Sequence, residues 1–235
     1  MDTLQDLYTK NLNNLIQVRE CFLEEDLEGP LLMNLDTYFN QSKKLMVIGQ
    51  ETNGWGCDYK DVAVQLKLYK EFNVGSSYKA SPFWNIIRKV EDVLSIDKYS
   101  CAWSNINRYE HRGKEPKAEI LEKIESLDYL LKDEIRLIKP DVCIFFTNHK
   151  YDYRIRKLFS DVIFTDVPNL PQKHFAFLNH SELPKITIRA PHPKTIRLQE
   201  WENVFLEEVK NCLWANVSLH WILRRQIIIE TLRAQ

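Results

Sequence analysis

The sequence predicts an α/β protein with a three-layer α/β/α arrangement around a mainly parallel, four-stranded central sheet. Short apolar runs typical of buried strands alternate along the chain with longer segments whose apolar residues recur at helical spacing. Polar side chains follow the apolar runs directly, as expected where parallel strands end beside a ligand crevice. The four predicted strands are residues 44–48, 99–104, 141–146 and 185–190.

The composition is that of a globular protein with a sizeable core. The chain has 235 residues, of which 44% are hydrophobic and 28% are charged, which suits one domain with appendages. Its 32 Lys and Arg nearly balance its 33 Asp and Glu, so the net charge of −1 gives no overall attraction to nucleic acid or to an anionic membrane. The five cysteines are scattered and form no C-x-x-C pair. This argues against a disulfide framework, a zinc site and an iron–sulfur cluster, and we expect neither a metal nor a cofactor.

The sequence contains neither the pattern of a signal peptide nor that of a membrane span. Its first residues, MDTLQDLYTKNL, lack the basic-then-apolar pattern of a signal peptide. No apolar run approaches the roughly 18 residues of a membrane span. A cytoplasmic protein without membrane contact is therefore expected.

The first 40 residues are predicted to form a helical extension that packs on the core. Apolar residues keep the helical period from Leu4 to about Leu23, and Gly29-Pro30 interrupts it. Residues 31–39 are predicted to form a short second helix. The core domain is expected to span residues 41–213.

Five helices are predicted within the core domain, and four of them precede residue 160. The first covers residues 58–72, and the second runs from Ser81 and Pro82, which suit its N-cap and first turn, to Leu94. A long helix is predicted over residues 118–138 and a shorter one over residues 151–159.

The last third of the chain contains weaker signals. Minor strands are predicted at residues 162–164 and 175–178, on either side of a proline-rich loop. Thr195 is expected to cap the last core helix, which ends near Leu213. Residues 214–235 are predicted to form a C-terminal helix whose apolar residues suggest homodimerisation.

The segment LMVIGQETNGWG, residues 45–56, is the strongest candidate for a functional loop. An apolar run ends on Gly49, where the backbone is free to turn or to approach a ligand closely, and Gln50 and Glu51 follow. Asn105 and His192 occupy the corresponding places after the second and fourth strands. The alternative is a strand followed by an ordinary polar turn.

Four short motifs, in this order along the chain, resemble the uracil-DNA glycosylase superfamily. The resemblance spans roughly residues 44–213, and Ser81-Pro82-Phe83-Trp84 falls where several members begin a helix with a proline and an aromatic residue. The four motifs are Gly49-Gln50-Glu51, Trp103-Ser104-Asn105, Ile138-Lys139-Pro140-Asp141 and Ala190-Pro191-His192-Pro193.

The resemblance implies a role for each matching residue. Gly49 and Gln50 correspond to backbone and side-chain positions that hold the base, and Glu51 stands where the family has an acidic residue that activates or orients water. Asn105 matches an asparagine that recognises the edge of uracil, a task suited to an amide because it both donates and accepts. His192 matches the histidine that stabilises negative charge on the departing base.

The sequence also departs from the family pattern. Thr52 and Asn53 replace a proline and an aromatic residue, so that Trp55 is expected to substitute by stacking on the base. Lys194 replaces a serine and, with Arg197, is expected to contact the DNA backbone. Four further basic side chains are candidates for the same groove, namely Lys150, Arg154, Arg156 and Lys157.

Each candidate residue has an alternative structural role. Glu51 would suit a helix N-terminus, Asn105 a turn, and His192 a rigid loop, while the basic residues would suit a solvated helix face. No G-x-S-x-G elbow or phosphate-binding P-loop supports an unrelated α/β hydrolase.

The hypothesis that follows is a divergent glycosylase with DNA as its partner, in which Glu51 and His192 are catalytic. Gly49, Gln50, Asn105 and Trp55 would bind a damaged base such as uracil. The alternative is a catalytically silent module of the same fold that binds a nucleobase or nucleic acid. A pocket blocked by Trp55 or Tyr59 would favour that alternative.

Overall fold

The computed structural model describes residues 3–56 and 58–213. Eight strands occur in this part of the chain, and they are β1 (Leu27–Glu28), β2 (Leu45–Gly49), β3 (Ala102–Asn105), β4 (Glu110–His111), β5 (Val142–Phe145), β6 (Ile163–Thr165), β7 (Ala176–Asn179) and β8 (Ile186–Arg189). The helices are α1 (Leu4–Glu20), α2 (Val62–Phe72), α3 (Pro82–Leu94), α4 (Ala118–Glu125), α5 (Asp128–Ile138), α6 (Asp152–Leu158), α7 (Pro193–Leu198) and α8 (202–213). Short 3-10 turns occur at Tyr38–Asn40, Asn73–Gly75 and His149–Tyr151.

The α/β class is confirmed, but the sheet is larger and more mixed than the sequence predicted. It contains six strands in the order β3-β2-β5-β8-β7-β6. The first four are parallel to one another, and β7 and β6 continue the sheet in antiparallel orientation. The prediction of four strands was wrong because the two minor strands join this sheet. Burial in β7 alternates along the strand, as is common in antiparallel strands with one covered face.

Helices cover both faces of the sheet. Trp103 and Ser104 are neighbours on β3, so their side chains point to opposite faces. The Trp103 ring contacts Trp84 of α3 with 5.0 Å between ring centroids, while Ser104 Oγ donates a hydrogen bond to Glu134 of α5 across 3.0 Å. Helices α3 and α5 therefore lie on opposite sides of the sheet.

The predicted helix over residues 31–39 is absent, and this prediction was wrong. Leu31 and Met33 are fully buried, and their backbone N–H groups bond to distant partners instead of to a helical turn. Leu31 donates to the carbonyl of Arg108, and Met33 donates to the hydroxyl of Tyr8. These tertiary contacts satisfy the backbone without a helix.

Two other predicted helices are each divided in two. The long helix over residues 118–138 is interrupted at Ser126, whose hydroxyl donates to the carbonyl of Lys123 and competes with the helical hydrogen bonds. The last core helix is interrupted near Glu200, which has a φ of 58°. Its N-cap is His192, not Thr195 as predicted.

A buried ion pair joins the N-terminal helix to the core. Arg108 donates to both carboxylate oxygens of Glu134, at 2.7 and 2.5 Å, and Tyr8 of α1 donates to the same carboxylate at 2.6 Å. All three residues are almost fully buried. Helix α1 is thus attached to α5 by a charged, fully desolvated cluster.

No helix within residues 3–56 and 58–213 is long and apolar enough to cross a membrane. The predicted C-terminal helix, residues 214–235, lies outside the described residues, and the homodimer proposed through it stays a prediction.

Candidate functional site

A cavity of about 450 Å³ lies beside the carboxyl ends of β2 and β3. It is lined by six of the residues that the sequence singled out: Gln50, Glu51, Trp55, Asn105, His192 and Lys194. The parallel sheet brings these residues together although 144 positions separate the first from the last. Gly49 lies beneath Asn105, and Arg197 is exposed outside the cavity.

The pairing of β2 with β3 continues past the ends of both strands. Gly49 and Asn105 are register partners, and Ile106 N–H donates to the Gly49 carbonyl at 3.0 Å. Asn107 N–H then donates to the Gln50 carbonyl at 2.8 Å. The loops after the two strands therefore leave the sheet side by side, which places the side chain of Glu51 next to that of Asn107.

Position 49 must be a glycine, because its backbone lies very close to the side chain of Asn105. A Cβ at position 49 would lie 2.3 Å from Asn105 Oδ1, well inside van der Waals contact. Any side chain here would therefore displace the amide of Asn105 from its present place. Gly49 is also the residue on which the apolar run of the sequence ends.

The side-chain amide of Asn105 is fixed in one orientation. Trp103 Nε1 donates to Asn105 Oδ1 at 3.2 Å, and because an indole N–H is only a donor, the oxygen of the amide must face it. Asn105 is 1% exposed, and its Nδ2 has no hydrogen-bond partner among the described residues. A buried donor without a partner at a cavity wall is a natural contact for a ligand oxygen.

A second polar atom in the same cavity is also unpaired. Thr52 is 5% exposed, and its hydroxyl has no partner among the described residues. Gln50, by contrast, donates through Nε2 to the carbonyl of Thr147 at 3.3 Å. Gln50 is thus partly engaged in holding β5 against the loop, so it has less capacity for a ligand than the sequence suggested.

Burial raises the pKa of the Glu51 carboxyl above its usual range. Asn107 opposes this shift, because its Nδ2 donates to Glu51 Oε2 at 3.1 Å, and the charge of Lys150 opposes it too. The nearby carboxylates of Glu115 and Glu110 raise the pKa further. A carboxyl group with a raised pKa that lines a cavity is suited to proton transfer.

Asn107 is itself held firmly in place. Arg154 donates to Asn107 Oδ1 at 2.5 Å, so the amide must present its NH₂ group to Glu51 and to the hydroxyl of Tyr151, 2.8 Å away. Arg154 is in turn bound by the carboxylate of Asp128. A buried network therefore sets the position of the Glu51 carboxylate.

His192 is a neutral imidazole with one ring N–H group that can donate a hydrogen bond into the cavity. Its Nδ1 accepts a hydrogen bond from the backbone N–H of Lys194 at 3.2 Å, which leaves the proton on Nε2. Burial lowers the pKa of the imidazole, and the charges of Lys194 and Lys150 lower it further. Its ring stacks on Phe83, with 5.8 Å between centroids and 29° between planes.

Trp55 forms a wall of the cavity and is not a free stacking platform. It is 5% exposed, meets Trp103 edge-on with 5.5 Å between centroids, and its Nε1 donates to Gln65 at 3.3 Å. The expectation that Trp55 would stack on a base conflicts with this burial. Trp55 lines the cavity and leaves about 450 Å³ of it open, while Tyr59 is not among the lining residues and lies against Lys60. Neither residue therefore closes the cavity.

Five aromatic residues that line the cavity were missing from the predicted site residues, namely Phe72, Tyr78, Phe83, Trp84 and Trp103. Phe83 is half-buried beside His192, and Tyr78 is 55% exposed where the cavity opens. Phe83 had a sequence signal in the proline-aromatic start of α3. Tyr78 had none, because it follows an irregular segment without periodicity.

The predicted basic groove is smaller than expected. Arg154 is buried and bound to Asp128, so it is not available to DNA. Lys150 forms an ion pair with Glu115 at 2.7 Å. Lys194 and Arg197 are exposed and remain the candidates nearest the site.

No protein-family profile matches the sequence, and no protein with a curated description is significantly similar to it. Within the described ranges, no group of three or more His, Cys, Asp or Glu side chains is arranged to hold a metal ion.

Proposed function

We propose that the protein is a divergent glycosylase that hydrolyses the N-glycosidic bond of uracil or another damaged base in DNA. The observation that supports it best is the meeting of three groups at one aromatic cavity: the unpaired NH₂ of Asn105, the neutral N–H donor of His192 and the carboxyl of Glu51. A flipped base needs recognition of its edge, stabilisation as it leaves, and a carboxylate near the sugar.

The shape and lining of the cavity suit a flat heterocycle. Its volume of about 450 Å³ falls within the usual range for small-molecule sites. Phe83 and Tyr78 offer aromatic faces, and the unpaired atoms of Asn105 and Thr52 offer hydrogen bonds. This combination gives stacking on the faces of a ring and recognition at its edge.

The residues account for each part of the hydrolysis. As the bond between C1′ and the base nitrogen breaks, its electron pair goes to the base, and the N–H of His192 stabilises the negative charge that develops there. Positive charge develops on the sugar, which the carboxylate of Glu51 stabilises. Water then adds to C1′, and Glu51 accepts its proton.

Contacts to the DNA backbone would come from exposed cations near the cavity. Lys194 lines the cavity directly, and Arg197 lies one turn further along α7. Phosphate contacts of this kind position the strand without reading its sequence.

A binding-only function is favoured by one observation at Glu51. Burial raises the pKa of the Glu51 carboxyl, which disfavours the charged form that would stabilise a cation, although one of its oxygens accepts a hydrogen bond from Asn107. In that case the cavity would hold a nucleobase or a nucleic-acid end without cleaving it.

The test is base release from matched single-stranded and duplex oligonucleotides that contain uracil, hypoxanthine or xanthine. We expect release by the native protein, and a loss of about 100-fold or more in Glu51→Gln and in His192→Ala. Glu122→Gln is the matched control, because Glu122 is exposed on α4, away from the cavity. Oligonucleotide binding without any release would support the binding module, and absence of both would refute the proposal.

A further inference from the structure

We infer that Trp103 determines specificity at this cavity, by making it select bases with a carbonyl group over bases with an amino group at the same ring position. This inference rests on the proposed base-binding function. It concerns a residue that touches Asn105 and not the reacting bond.

The indole of Trp103 carries a hydrogen-bond donor and no acceptor. An asparagine amide has a donor end and an acceptor end of nearly the same shape, so it normally turns to suit its partner. Trp103 Nε1 is 3.2 Å from Asn105 Oδ1 and has a hydrogen to donate and no lone pair to offer. If the amide turned over, two donors would face each other inside a buried site.

Trp103 is too confined to move away from this contact. Its ring lies 5.0 Å from Trp84, 5.3 Å from Phe72 and 6.2 Å from Tyr69, measured between centroids. Its backbone N–H also donates to the hydroxyl of Tyr69 at 2.8 Å. The indole therefore holds a fixed donor against the amide oxygen.

The glycine beneath the amide provides a second constraint. Asn105 Oδ1 lies so close to the backbone of Gly49 that a Cβ there would be 2.3 Å away. The oxygen is thus enclosed between Gly49 and Trp103, while Nδ2 has no partner in the described structure. The end of the amide that is left for a ligand is its NH₂ group.

A fixed NH₂ group distinguishes two classes of base. A ring carbonyl accepts its hydrogen bond, whereas an exocyclic amino group presents a second donor and leaves both groups unpaired in a desolvated site. Uracil and cytosine differ in this way at one ring position, and so do hypoxanthine and adenine. The cavity should accept the first member of each pair.

The experiment is calorimetric titration of the native protein and its variants with free uracil and free cytosine. The native protein should bind uracil about tenfold or more tightly than cytosine, which is the factor expected for one unpaired buried donor. In Trp103→Phe the amide is free to turn, and the preference should fall to about twofold or less. Trp103→Met, which also lacks a donor and adapts to irregular gaps, serves as the second variant if Trp103→Phe does not fold.

Trp84→Phe is the matched control. Trp84 is 6% exposed against 5% for Trp103, lies in the same aromatic cluster, and its indole is not the donor to Asn105. Its truncation should weaken binding of both bases alike and keep the ratio between them.

The outcomes separate this inference from the proposed function. Equal binding of uracil and cytosine by the native protein would overturn the inference and leave base binding intact. A preference that survives in Trp103→Phe and Trp103→Met would show that Trp103 does not set it. Binding of neither base, nor of hypoxanthine or adenine, would overturn the proposed function and the inference together.

Discussion

Asn107 donates a hydrogen bond to Glu51 across 3.1 Å, although 56 positions separate them in the sequence. The backbone ladder between β2 and β3 continues one pair beyond both strands, and this brings the two side chains together. The contact stabilises the ionised form of a carboxyl group whose pKa burial has raised. Asn107 is therefore a positioning residue for the candidate catalytic group.

Removing this hydrogen bond should raise the pKa of Glu51 further. In Asn107→Ala the carboxylate loses a donor, so its protonated form is favoured and the acidic limb of any pH–rate profile should move to higher pH. A carbon-13 NMR titration of the Glu51 carboxyl measures the same shift without an activity assay. Asn179→Ala is the control, because Asn179 is exposed on β7. An unchanged Glu51 pKa in Asn107→Ala would contradict this role.

His192 should be a neutral imidazole with its proton on Nε2 at pH 7. Its pKa is lowered in the folded protein, so the unfolded chain binds the proton more readily. This group therefore reduces stability as the pH falls below its unfolded pKa of about 6.5, until the folded pKa is reached. Nitrogen-15 NMR of the imidazole side chain reports both the tautomer and the titration.

Lys194→Gln separates the effect of the Lys194 charge on the pKa of His192 from the effect of the Lys194 backbone N–H on its tautomer. It removes a neighbouring positive charge, so the imidazole pKa should rise, but the backbone N–H that fixes the tautomer remains. A spectrum in which the proton lies on Nδ1 at pH 7 would be inconsistent with the cap that we describe.

The sequence predicted where buried strands end, but it did not predict which side chains from distant segments contact each other. The apolar run up to Gly49 and the polar residues after it predicted one side of the cavity, and Asn105 and His192 predicted the rest. Parallel strands bring such ends to one edge, so order along the chain was enough to predict their meeting. The bond from Asn107 to Glu51 depends on the register of two strands, which the sequence does not encode locally.

The prediction of helices from the sequence was wrong where tertiary contacts compete with helical hydrogen bonds. Residues 31–39 have helix-like spacing, yet Leu31 and Met33 bond to groups far away in the chain. The break at Ser126 depends on one hydroxyl turning back to a carbonyl. Trp103 was overlooked as a partner of Asn105, although residues two apart on a strand share a face and the spacing was visible.

The buried pair of Arg108 and Glu134 should be essential to stability. Glu134→Gln removes the charge that compensates Arg108, a residue 2% exposed, and this should cost about 3–5 kcal/mol in the free energy of unfolding. Urea denaturation measures the change. Glu20→Gln is the control, because the pair of Glu20 with Lys60 is exposed and should contribute only about 0–1 kcal/mol. Equal effects of the two substitutions would refute a special role for the buried pair.

Tyr78 should contribute to nucleic-acid binding through stacking. Its side chain is 55% exposed at the cavity, and its ring centroid lies 5.4 Å from that of Phe72. The exposed part of the ring is available to stack on the base adjacent to the one bound in the cavity. Because stacking on an aromatic side chain contributes about 1–3 kcal/mol per base, Tyr78→Ala should weaken binding of a single-stranded oligonucleotide about tenfold. Fluorescence anisotropy measures the affinity.

Tyr153→Ala is the matched control for that experiment. Tyr153 has a similar exposure of 49%, but it lies on α6 outside the cavity, where its hydroxyl bonds to Glu125. Its removal should leave oligonucleotide affinity within about twofold of the native value, since no base stacks there. Equal losses from the two substitutions would mean that exposed aromatic surface in general, and not the mouth of this cavity, contacts the strand. A loss confined to Tyr78→Ala would locate the strand beside Asn105 and His192.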